Sequence, residues 1–212
     1  KHKLGVTEED IRQFTNSKYT FSFMGGICED VVDTLKAGKK MLFIGLPCQV
    51  AAVKKYAETK KVSTDELFTV DLICHGVPSD FYVKEHVQYV TKGECIDGLS
   101  FRDERFMTSK FVFSVDYKGK NYHKYVESDD NFQIGYHNAT IYRPNCYNCM
   151  YASPDRCSDL TIGDFTGLGK VDSVKGNVVE MRYQGISCVL CNSEKGEKLL
   201  TQLEVEGDLS ID

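Results

Sequence analysis

The sequence predicts an α/β fold: strand–loop–helix units forming a mixed, partly parallel sheet, with an inserted antiparallel hairpin and a long cysteine-bearing loop region. Three observations predict it. Residues 40–46 and 67–74 are short apolar runs of buried-strand type, each followed by a turn and then a helical pattern. Residues 111–117 and 122–126 read as two strands of a hairpin around Lys118-Gly119-Lys120-Asn121. Residues 143–169 are rich in Pro, Gly, Asn, Asp and Ser, and read as loop apart from a short strand over 160–163.

The elements follow in order. Residues 28–37 form a helix with Val31, Val32 and Leu35 on one face, ended by Gly38. The first strand stops at Gly45-Leu46-Pro47-Cys48, and residues 49–57 carry Val50, Val53 and Ala57 at helical spacing, so Cys48 lies at a helix start. The second strand stops at Cys74-His75-Gly76, and Ser79 caps a helix over 80–90. Two such units in succession predict parallel strands, whose carboxyl ends are where ligands gather; Cys48 and Cys74 both sit there. A strand over 98–102, a short helix over 131–136, a strand over 186–191 and a helix over 194–203 complete the expectation.

A chain of 212 residues buries a sizeable core without disulfide staples. We expect one domain spanning 1–212 and, from the missing initiator Met, we expect it to be a piece of a longer protein. The net charge of −5 argues against a duplex nucleic-acid partner. The chain has no run of eighteen apolar residues and no export signal, which predicts a cytoplasmic protein without a membrane span. Nine cysteines, an odd number, in a reducing compartment point to metal or redox chemistry rather than disulfides.

The nine divide by context. Cys146-Tyr147-Asn148-Cys149 is the strongest local signal, because a loop CxxC turns two sulfurs toward one ion. Cys188 and Cys191 share that spacing inside a strand, where residues three apart face opposite sides; they read as core packing. Cys48 gains thiolate character from its helix start, against the alternative of a small buried residue. Cys74 divides evenly between ligand and buried strand residue. Cys28 and Cys95 read as structural, and Cys157 is a further ligand candidate in the loop-rich stretch.

Four signatures carry a resemblance. They are Leu42-Phe43-Ile44-Gly45-Leu46-Pro47-Cys48-Gln49-Val50, Asp71-Leu72-Ile73-Cys74-His75-Gly76-Val77-Pro78-Ser79, Ser100-Phe101-Arg102-Asp103, and Arg143-Pro144-Asn145-Cys146-Tyr147-Asn148-Cys149 followed by residues 158–165. In this order, between Ser17 and Leu200, they resemble the carboxyl-terminal domain of the beta subunits of coenzyme F420 hydrogenases and dehydrogenases. The resemblance implies an iron–sulfur flavoprotein in which a 4Fe–4S cluster lies beside FAD and electrons pass to a hydride acceptor such as coenzyme F420. It selects Cys48, Cys74, Cys146 and Cys149 as cluster ligands and makes Cys157 a substitute. It marks Gly45, Pro47, Gln49, His75, Gly76, Arg102, Arg143, Gly163, Asp164 and Gly167 as candidate cofactor contacts, and names no catalytic residue. A ferredoxin-like domain or protein is the implied electron partner. The chain departs from the family pattern at Thr166, where a Trp is usual, and at Glu104-Arg105-Phe106. Two other readings use the same cysteines: a zinc-binding structural or interaction domain, and a thiol–disulfide enzyme built on Cys146 and Cys149.

Overall fold

The computed structural model describes residues 1–14, 16–106, 112–125, 130–164 and 187–207. The chain forms two compact units, Lys1–Gly25 with His75–Cys149, and Gly26–Cys74 with Met150–Asp212. The fold is α/β with one mixed sheet and one antiparallel sheet, as the sequence predicts.

In the second unit, α2 (Ile27–Lys36) buries Ile27, Val31, Val32 and Leu35, an apolar stripe at helical spacing. Gly38, at φ +69°, lets the chain leave this helix through the left-handed region. The strands β1 (Met41–Gly45) and β2 (Leu67–Leu72) pair in parallel, joined by α3 (Pro47–Thr59). Alternation along β1 buries Met41 and Phe43 while Leu42 and Ile44 stay exposed. The helices α2 and α3 pack on the sheet, with Val50, Val53 and Ala57 buried along α3. The strand β6 (Leu160–Asp164) adds in parallel to β2, and β7 (Ser187–Cys191) pairs antiparallel at the edge, giving the order β1-β2-β6-β7. The last helix, α6 (Glu194–Glu206), begins at Ser193, whose hydroxyl accepts from Gly196 N. Gly196 is tight against Asp159, where a Cβ would come within 2.3 Å of the carbonyl oxygen.

In the first unit, α1 (Glu8–Arg12) opens with a Thr7–Asp10 capping box that the sequence reading did not anticipate. Ser79 caps α4 (Asp80–Thr91), as expected. A three-stranded antiparallel sheet, β3 (Gly98–Ser100), β4 (Val112–Tyr117) and β5 (Lys120–Tyr125), packs with α4 and α5 (Asn131–His137) around Val83, Phe101, Phe113, Val115 and Phe132. The hairpin turn is tighter than expected. Lys118 and Gly119 alone form it, at φ +47° and +70°, the geometry that matches strand twist.

Two expectations about cysteines are corrected. Cys191 is exposed and Cys188 only half-buried, because β7 is an edge strand with four of five residues exposed; they are not core packing. Cys95 is exposed as well, beyond the end of α4.

Candidate metal centre

Parallel pairing sets two of the cysteines in equivalent places. Gly45 lies opposite Asp71 at the ends of β1 and β2. Cys48 and Cys74 each follow three residues later. Cys48 is the second residue of α3, behind Pro47, at the positive end of the helix dipole. Gln49 folds back so that its Oε1 accepts from Leu46 N at 2.9 Å, which caps the helix and leaves Gln49 buried. At the end of β2, Ile73 N still donates to Ile162 O, and the chain leaves the sheet at Cys74. Cys157 belongs to the same unit. Its thiol donates to Pro47 O at 3.5 Å, and Lys54 Nζ donates to its carbonyl at 2.6 Å. Burial, then the Asp71 carboxylate, push the Cys157 thiol up from its ordinary value.

In the other unit, a 3₁₀ turn at Pro144–Cys146 starts the CxxC loop. Arg143 N donates to Val77 O at 3.0 Å, Cys146 N to Arg143 O at 2.8 Å, and the Cys146 thiol to Val77 O at 3.8 Å. Val77 is three residues beyond Cys74 in the chain. The loop carrying one pair of cysteines is thus bonded to the segment that leads away from another. His75 shares hydrogen bonds with two phenols, Tyr142 at Nδ1 and Tyr136 at Nε2. All nine thiols are free of disulfides. Four such thiols, one at a helix start, are the donor chemistry an iron–sulfur cluster takes. Among the described residues, no three His, Cys, Asp or Glu side chains converge as a ready metal site.

Residues 38–212 match the family model for the carboxyl terminus of the coenzyme F420 hydrogenase/dehydrogenase beta subunit. The chain belongs to this family. The F420-dependent formate dehydrogenase subunit beta of Methanocaldococcus jannaschii is 22% identical over 175 residues, covering 82% of this chain and 39% of that protein. A chain of the F420-reducing NiFe hydrogenase complex of Methanosarcina barkeri shares the fold with a TM-score of 0.53 at 18% identity, over 96% of this chain and 61% of that one. The chain therefore spans less than two thirds of the length of each.

The beta-subunit resemblance also marked candidate cofactor contacts, and the structure gives most of them other work. A Cβ on Gly45 would lie 2.9 Å from the Phe43 ring, one on Gly76 2.3 Å from the Tyr142 ring, and one on Gly163 2.7 Å from Ile73. These glycines admit the protein's own side chains. Arg102 Nε donates to Tyr19 Oη at 2.7 Å, and the Arg143 guanidinium lies 3.9 Å over the Phe21 ring. Pro47 is buried at the start of α3, and Asp164 is exposed at the end of β6. Gly167 and Thr166 lie outside the described residues.

Sequence reasoning missed the groups that hold the loops. Asp159, buried, accepts from Thr69 N and Oγ1 and from Ser193 Oγ, tying β2 to the start of α6. Arg156 pairs with the fully buried Asp71 at 2.9 Å. Tyr142 and Tyr136 hold His75. The signal available was a charged or aromatic residue inside a signature or loop, and nothing in one sequence says which distant residue it meets.

Proposed function

We propose that this chain is the electron-transferring segment of an F420-linked hydrogenase or dehydrogenase beta subunit, and that Cys48, Cys74, Cys146 and Cys149 hold a 4Fe–4S cluster. The observation that carries the reading is the bonding of the CxxC loop to the segment after Cys74, through Cys146 Sγ and Arg143 N on the Val77 carbonyl. A bound cluster supplies one-electron transfer at a potential set by burial and by hydrogen bonds to its sulfurs. The chain's own part is to hold the four sulfurs, with the dipole of α3 favouring a thiolate at Cys48. The electron donor is a ferredoxin-like iron–sulfur domain or protein, and the final acceptor takes hydride, as coenzyme F420 does. FAD as the intermediate carrier rests on family resemblance. The setting is the cytoplasm.

Anaerobic purification with iron, zinc and flavin assays tests this. The expected result is a brown protein with about four irons per chain. Iron-free, folded protein after anaerobic reconstitution overturns it, and stoichiometric zinc in place of iron supports the structural zinc domain. Replacing Cys48, Cys74, Cys146 or Cys149 singly by Ala is expected to abolish stable cluster binding, whereas Cys157→Ala keeps it. A thiol–disulfide enzyme would instead keep its activity in Cys48→Ala and Cys74→Ala.

A further inference from the structure

We infer that Tyr142 is the positioning residue that fixes both the His75 segment and the CxxC loop, and so tunes the cluster proposed above; the inference rests on that reading. Tyr142 is buried, at 7% exposure. Its backbone forms an antiparallel bridge with Pro78. Its phenol is bonded to His75 Nδ1, and His75 directly follows Cys74. Its ring fills the space over Gly76, which sits at φ +126°, a conformation L side chains rarely adopt. Its backbone N–H donates to the phenol oxygen of Tyr147, inside the CxxC, at 3.1 Å. The two rings lie 5.9 Å apart.

One side chain therefore meets the residue after one proposed ligand and, through its backbone, the residue between two others. Tyr136 holds the second nitrogen of His75 at 3.2 Å, so the imidazole is pinned from both sides. A ring held by two hydrogen bonds cannot turn without losing one. The segment after Cys74 is thus held through the Tyr142 hydroxyl, and the CxxC loop through the Tyr142 backbone N–H. Such outer contacts set ligand orientation and cluster potential in metal sites generally.

Tyr142→Phe keeps the ring over Gly76 and removes the bond to His75. In the full chain, purified anaerobically, it is expected to bind the wild-type amount of iron. Its midpoint potential should move by at least a threefold change in the reduction equilibrium, about 28 mV for one electron. The electron paramagnetic resonance of the reduced form should change as well. Tyr147→Phe, which removes the acceptor for Tyr142 N–H at a half-exposed position, serves as the second variant and is expected to move the potential too. Tyr89→Phe on the exposed face of α4 is the control. Iron-loaded variants with wild-type potential and spectrum, whatever their melting temperature, overturn the inference. Absence of a cluster from the wild-type chain overturns instead the reading it rests on.

Discussion

At the scale of the residue, Arg156 shows how a loop is held in place by one guanidinium. Its Nε donates to Thr161 Oγ1, one terminal nitrogen to the carbonyls of Tyr151 and Ser153, and the other to Asp71 Oδ1 and Leu72 O. The planar fork satisfies five acceptors at once, which an ammonium cannot do. Asp71 is fully buried, and its Oδ2 has no hydrogen-bond partner among the described residues. Its charge thus leans on Arg156 at 8% side-chain exposure. Arg156→Ala leaves that carboxylate without its cation and is expected to cost about 3–5 kcal/mol. Arg156→Lys should fall between, since it restores charge without the carbonyl contacts. Urea unfolding midpoints measure both. A loss below about 1 kcal/mol in Arg156→Ala would show that Asp71 does not depend on the pair. The contact links residues 85 apart. That separation is why neither side chain stood out in the sequence.

At the scale of the element, the legible features were those set by local pattern. The boundaries of α2, β1, α4 and β6 fall within two residues of expectation, because caps, apolar spacing and glycine stops are written next to the elements they bound. The positions of Cys48 and Cys74 at strand ends were legible for the same reason. Which cysteines are buried was not. An apolar run at 186–191 looks alike in a central strand and at an edge, and among the described strands β7 pairs with β6 alone. The polar stretch 118–121 likewise hid the start of β5, whose residues are mostly exposed and so lack an apolar signature. Placement of β7 yields a prediction. Cys188→Ser and Cys191→Ser are expected to change stability by no more than about 0.5 kcal/mol each. Metal content should stay at the wild-type level. A loss of iron in either variant would bring β7 into the metal centre.

At the scale of the whole molecule, the two units respond to acid through the same chemistry. Hydrogen bonds from Arg105 hold the Asp103 carboxyl well below the usual carboxylate range, against the opposing effect of burial and with help from Ser114. Arg105 also holds Asp116 down, together with Asn121. That pairing gives a structural account of the departure at Glu104-Arg105-Phe106: the arginine bridges Asp103 and Asp116 across the sheet. Burial works against ionisation of Asp130 and Asp159, but bonds from His86, Gln133 and Tyr122 to the first, and from Ser193 and Thr69 to the second, outweigh it and lower both. The sign follows directly. A carboxylate whose folded pKa is depressed adds stability that is fully present above its unfolded value of about 3.9 and is lost as pH falls through the folded one. Three of the four groups lie in the first unit and Asp159 in the second. Unfolding free energy from chemical denaturation is therefore expected to hold steady above about pH 5 with respect to these groups and to drop between about pH 4 and 2. Asp103→Asn should be less stable at neutral pH and show a shallower acid slope, because it cannot gain the proton that the wild type takes up. Asp159→Asn should do the same through the ties from β2 to α6. An acid limb as steep in both variants as in the wild type would place the acid sensitivity in other carboxylates.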